Sequence, residues 1–211
     1  ARTGPQPSTP GARSRGRLVT DWLAAAARGQ HWRAWLQRHP ARAYGGCNLV
    51  LVDVATGLWR WLTNVDPRLH GEGRDDLEHA DGWWSADVPA GAHTLSNAAL
   101  DSPWPKAERL RAALESVGAA TPVQAEAALR TVLQTHIPGP EDDPTALTRS
   151  PWVHAPQRRY GTRSSLVAWL SRDGTLHATE WTYAPELGPD GLAQASVSRR
   201  CIHWCAIPTS S

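Results

Sequence analysis

The chain has no phenylalanine and no methionine, and only three tyrosines and three cysteines among its 211 residues. Three cysteines are an odd number and too few for a disulfide framework, which points to a reducing compartment and a cytoplasmic protein. No apolar run approaches the ~20 residues that cross a bilayer, so no transmembrane segment is expected. The formal net charge is only +2, too small to argue for nucleic acid or an anionic membrane as partner. The chain also lacks a glycine-rich phosphate loop, a dinucleotide fingerprint, a Gly-x-Ser-x-Gly elbow and any recognisable Ser/His/Asp order. Neither a cofactor nor a metal is expected.

The missing aromatics are replaced by 12 tryptophans. Tryptophan is larger than phenylalanine and carries an N–H that needs a partner when buried. With 41% hydrophobic and 20% charged residues, the composition is that of an ordinary globular chain long enough for one domain with a sizeable core.

Residues 1–13 are rich in Pro, Gly, Ser and Arg with no acidic residue, and read as a flexible leading segment. Ser14 fits the N-cap of a first helix. Leu18, Val19, Trp22, Leu23 and Ala26 fall at helical spacing as one apolar stripe. A second helical stretch carries Trp32, Trp35 and Leu36 and stops at Pro40. After Tyr44-Gly45-Gly46, the run Leu49–Val52 predicts a strand covered on both faces. Leu58–Leu62 returns as its partner after a turn at Gly57. Asn48 stands at the start of the buried run, as a structural hydrogen bonder or a site group. The charged segment 66–82 reads as a solvated loop, and Trp83–Val88 as a strand.

Pro105 opens a helix with Leu110, Leu114 and Val117 on one face, ended by Gly118. Thr121-Pro122-Val123-Gln124 has the capping-box pattern for another helix, with Ala125, Leu129, Val132 and Leu133 in register. Ser150–His154 is read as a short strand, and Asp173-Gly174 predicts a hairpin between strands 165–170 and 176–183. A loop over 184–194 and a last strand over 195–207 follow. Cys201, His203 and Cys205 alternate on that strand. A rise of about 13 Å between the two cysteines cannot be closed by zinc–sulfur bonds of about 2.3 Å without a sharp bend, so buried thiols are the better reading.

The most informative stretch is His93-Thr94-Leu95-Ser96-Asn97-Ala98-Ala99-Leu100-Asp101-Ser102-Pro103-Trp104-Pro105-Lys106. It reads as a strand end, a tight polar turn and a helix start. Asn97 supplies both amide donors and a carbonyl acceptor and tolerates left-handed backbone. A simple turn or cap is the competing reading. On the residues alone, the chain is an α+β domain with two or three polar strand ends.

The segment Leu95–Lys106 resembles the signature of the NRDE family, also called the transport and Golgi organisation protein 2 family. Ser14-Arg15-Gly16-Arg17-Leu18-Val19, Tyr44-Gly45-Gly46-Cys47-Asn48-Leu49 and Tyr160-Gly161-Thr162-Arg163-Ser164-Ser165 agree with the same family and come in the same order. Family members usually have Phe where this chain has Trp22, Cys47 and Trp152. The resemblance implies stacked antiparallel sheets flanked by helices, similar to the αββα fold of the N-terminal nucleophile hydrolases. It also implies that residues 14–211 form a single domain lacking its N-terminal strands. The family's leading Cys and its Asn-Arg-Asp-Glu motif would precede Ser14.

Function follows from the resemblance in two versions. One is a hydrolase-like scaffold acting in secretion and Golgi organisation, or in handling haem or acyl and lipid metabolites, with a small-molecule ligand as partner. The other is an N-terminal-Cys amide hydrolase whose nucleophile is absent from this sequence, leaving it inactive as it stands. By comparison with bile-salt hydrolases and penicillin V acylases, Asn97, Arg163 and Asn48 would take supporting roles around an amide substrate. Asp101 and Lys106 match the family pattern too, and are expected as helix start and surface charge.

Overall fold

Two helices open the chain because a narrow line of apolar residues needs cover. In the computed structural model, described over residues 12–54, 56–70, 75–118, 120–138, 145–155, 160–171, 175–187 and 193–203, α1 spans Gly16–Ala26 and α2 spans Trp32–Leu36. Leu18, Trp22 and Ala25 of α1 are buried; they follow an i, i+4, i+7 line. Val19 and Leu23, expected on the same stripe, are 51% and 60% exposed, because each sits a further ~100° round the helix. Ser14 is not the cap. Arg15 holds that position without a side-chain hydrogen bond, and Ser14 gives only its carbonyl to the Arg17 N–H.

The described chain falls into two compact units, Ala1–Ser102 and Pro103–Ser211. In the first, β1 (Asn48–Asp53), β2 (Leu58–Thr63), β3 (Glu78–Ala80) and β4 (Trp83–Asp87) form an antiparallel sheet in the order β1-β2-β4-β3. Leu51 of β1 and Leu62 of β2 join Leu18, Trp22, Trp32, Trp35 and Trp83 in one core. Trp61, Ala86, Ala99 and Leu100 form a second cluster.

Two expectations fail here. The run Leu49–Val52 is not covered on both faces: Leu51 is buried, whereas Val50 and Val52 are exposed. An unbroken apolar run hides the period-2 alternation that would have marked the open face. The segment 66–82 is also more than a loop, since it holds a 3-10 turn at Pro67–His70 and the short strand β3. All three β3 residues are exposed, so no apolar signal marks it. It is held by Glu78, which pairs with Arg60 at 2.8 Å and Arg33 at 2.7 Å, and by His79 stacked on Trp84 at 4.3 Å.

In the second unit, α3 spans Pro105–Ser116 and α4 Pro122–Leu133. The expected capping box is formed: the Thr121 hydroxyl accepts from the Gln124 N–H, and the Gln124 side chain accepts from the Thr121 N–H. A short α5 (Ala146–Arg149) and a two-stranded ladder of β5 (His154–Ala155) and β6 (Tyr160–Gly161) follow. The remaining strands, β7 (Ser164–Leu170), β8 (Thr175–Leu187) and β9 (Ala193–His203), form an antiparallel meander. β8 continues through residues expected as loop, and the Asp173-Gly174 turn lies outside the described residues. Trp152, Val167, Trp181 and Tyr183 make the core of this unit, with Leu129 and Leu133 of α4 packed against it. Thr179 adds a hydrogen bond to Glu126 at 2.8 Å. The observed mixture of helices and antiparallel sheets is the α+β class read from the sequence.

The tryptophan-rich cores leave a polar residue of the replacement. The indole N–H groups of Trp61 and Trp83 find acceptors in Asn48 and the His39 carbonyl. Those of Trp35, Trp152, Trp169 and Trp181 are buried without a partner among the described residues.

Candidate functional site

Residues 93–102 form a closed loop rather than the strand end expected. Its base is shut by a reciprocal pair: the Asp101 N–H donates to the Thr94 carbonyl at 2.8 Å, and the Thr94 N–H donates to Asp101 Oδ1 at 2.8 Å. The other carboxylate oxygen, Oδ2, lies 2.7 Å from His93 Nδ1. Asp101, expected only at a helix start, is therefore the knot of the loop. It also carries left-handed backbone, with φ of 62°. Asp is one of the few residues that accept that conformation without a large steric cost.

Asn48 holds the loop from the other side. Its Nδ2 donates to the carbonyls of Ser96 at 2.9 Å and Ala98 at 2.8 Å. Its Oδ1 accepts from the indole N–H of the fully buried Trp61 at 3.2 Å. A primary amide has two N–H donors, and both are used here. Ala98, Ala99 and Leu100 are buried, which anchors one flank of the loop in the core.

Asn97 stands between Ser96 and Ala98 and is exposed. Its side chain makes no hydrogen bond to another described residue. The loop thus fixes its backbone while leaving the Asn97 amide exposed. Asn48 and the Asn97 loop are brought together; Asn48 acts on the loop's carbonyls rather than standing beside Asn97 as a second free donor.

Arg163 belongs to the second unit. It sits between β6 and β7, is exposed, and its carbonyl accepts from the Tyr183 N–H at 2.8 Å. Lys106, also in that unit, is not the surface charge expected. It is half-buried, its Nζ donates to the Leu147 carbonyl at 3.0 Å and lies 5.2 Å from the Trp104 ring centroid, and burial lowers its pKa.

Cys47 neighbours Asn48, but its thiol is no ready nucleophile. Burial raises its pKa to about 11, against a smaller opposing effect of Arg15. Its backbone is tied by Asn64, whose Oδ1 accepts from the Cys47 N–H at 2.7 Å while Nδ2 faces the carbonyls of Ala41, Tyr44 and Gly45. Among the described residues no cluster of three or more His, Cys, Asp or Glu side chains is placed to hold a metal. The side chains of Cys201 and His203, and all of Cys205, lie outside the described residues.

Reading from the sequence missed His93, Asn64 and Trp61. Only His93 had a usable signal, a titratable residue at the head of the motif eight positions before an acid.

These features define an α+β protein that presents a side-chain amide on a clamped loop. A family model described as Transport and Golgi organisation 2 matches residues 2–185. The match takes in all four motifs, and the chain belongs to this family. No characterised protein gives a significant match.

Proposed function

We propose that this chain is a small-molecule-binding member of its family, with the 94–101 loop as recognition element and Asn97 as the residue that meets the ligand. The observation that carries this is the contrast within one motif. Asn48 and Asp101 are consumed in holding the loop, while the Asn97 amide is exposed and unengaged. An amide offers a donor pair and an acceptor, which suits a carboxylate, an ester or an amide carbonyl. Family membership favours a role in secretion and Golgi organisation, with haem or acyl and lipid metabolites as the ligand class, and the three cysteines favour the cytoplasm.

The test is titration of the chain with haemin and with palmitoyl-coenzyme A, followed by Soret absorbance and calorimetry. Saturable binding of one of them, weakened at least tenfold in Asn97→Ala with an unchanged melting temperature, is the expected result. A tenfold loss corresponds to about 1.4 kcal/mol, within reach of one hydrogen bond. Absence of saturation with both ligands would overturn the reading.

A second reading, amide hydrolysis with Asn97 as an oxyanion donor, is favoured by the same free N–H pair. It needs a nucleophile other than Cys47, whose thiol stays protonated at neutral pH. Turnover of an acyl-amide substrate, lost in Asn97→Ala, would select this reading over binding alone.

A further inference from the structure

A second polar site lies in the first unit. α1 and α2, each with the turn that follows it, line an open cleft of about 290 Å³ bordered by Asp21, Ala24, Arg28, Trp35, Arg38 and His39. It has no residue in common with the Asn97 loop.

The chemistry of the lining is specific. Asp21 and Ala24 lie one turn apart on α1, and Arg28 stands in the turn that follows the helix. The small Ala24 lies between the Asp21 carboxylate and the Arg28 guanidinium in the lining. Across the cleft, Arg38 is steadied by a hydrogen bond to Gln30 Oε1, which uses one of its five donors. Asp21 and Arg28 are exposed and form no ion pair with one another. The floor is fixed. The Trp35 ring lies 4.7 Å from that of His39, whose Nδ1 is 2.8 Å from the Tyr44 hydroxyl and whose carbonyl accepts from Trp83 Nε1 at 2.8 Å. Trp35 is 1% exposed, and its indole N–H has no acceptor among the described residues. The same lack holds for the indoles of Trp152, Trp169 and Trp181, so it is the charged lining that gives the cleft its chemistry.

We propose that this cleft binds a small zwitterion, an amino acid or short peptide with free termini. Arg28 and Arg38 take the carboxylate, and Asp21 takes the ammonium group. Arginine's planar fork matches a carboxylate in a two-point contact. Two guanidinium groups against one carboxylate leave the site net positive, which calls for an anionic group. Asp21 in the same cleft opposes a dianion such as phosphate and rewards a ligand that brings its own cation. His39 completes the site as an uncharged hydrogen-bonding partner at neutral pH, since burial lowers its pKa. The volume suits a dipeptide-sized molecule, at the small end of the few hundred Å³ usual for ligand pockets.

The test uses the full 211-residue chain and the dipeptide glycyl-leucine. Controls are N-acetyl-glycyl-leucinamide, which has neither charge, and inorganic phosphate. Calorimetry is expected to show saturable binding of glycyl-leucine alone. Arg28→Ala and Asp21→Asn should each weaken it about ten- to a hundredfold, the value of one hydrogen bond to a charged group. Both positions are exposed, so the melting temperature should hold. In a two-dimensional amide spectrum, one indole N–H signal, absent in Trp35→Phe, should shift on titration. No saturation by glycyl-leucine, equal binding of the uncharged analogue or of phosphate, or unchanged affinity in both variants would each overturn the proposal.

Discussion

Asn48 donates a hydrogen bond to the carbonyl of Ala98 at 2.8 Å, across 50 residues of chain. Together with its bond to Ser96 and the one it accepts from Trp61, this makes Asn48 the joint between the first strand and the loop that presents Asn97. Each such bond is worth about 1 kcal/mol net, and a buried partner left unpaired costs more. Asn48→Ala should therefore lower stability by about 2–3 kcal/mol. Asn48→Asp should be worse, because it sets a carboxylate oxygen against two carbonyl oxygens and loses both donors. Urea denaturation midpoints of the two variants decide this. An aspartate variant as stable as the wild type would mean that the amide is not oriented as described.

Asp101 tests the base of the loop. Asparagine there keeps an acceptor for the Thr94 N–H and tolerates φ of 62°. Alanine loses the bonds to His93 and Thr94 and takes on the left-handed backbone without local support. Asp101→Asn should cost under about 1 kcal/mol, and Asp101→Ala about 2–4 kcal/mol, from two bonds plus backbone strain. Equal destabilisation by the two variants, measured by the same denaturation, would remove the backbone part of the account.

Cys47 offers a test by pH. Its pKa is raised from an ordinary 9.0 to about 11 by burial. The folded protein therefore holds the thiol proton more tightly than the unfolded chain between these values. By linkage, the contribution is fully present below pH 9.0 and is lost as pH rises toward about 11. Peptide-resolved iodoacetamide labelling should find Cys47 slow at neutral pH, with a rate that climbs only in that alkaline window. Fast labelling at pH 7 in native protein would show an activated thiolate instead.

Much of the second unit was legible in the sequence because its signals are local. Thr121-Pro122-Val123-Gln124 has a reciprocal capping mechanism within four residues, and the helix forms where it says. Pro105 likewise opens α3. The first unit was harder because its organisers act at a distance. Nothing near Glu78-His79-Ala80 marks a strand; Arg60 and Trp84 hold it there from other strands. Asn48 and Asn97 were both picked out, but their relation was not, because which amide is consumed and which is free depends on contacts 48 and 50 residues apart. His93 and Asp101 show the same limit: either alone reads as a polar loop residue, and only the closed loop makes them a pair.

His39 carries the last prediction. Burial lowers its pKa from 6.5, with Arg13 and Arg38 acting in the same direction and Asp21 against them. The unfolded chain therefore binds more protons than the folded one just below pH 6.5, so stability rises with pH through that region and falls on acidification. Other histidines and carboxylates add their own slopes, which makes the difference between proteins the useful quantity. His39→Gln keeps a side chain able to meet the Tyr44 hydroxyl but cannot take up a proton. It should flatten the dependence of the denaturation midpoint on pH between 5 and 6.5 relative to wild type. Parallel curves for the two proteins would show that His39 is as easily protonated in the fold as out of it, and that its packing against Trp35 excludes less water than the geometry implies.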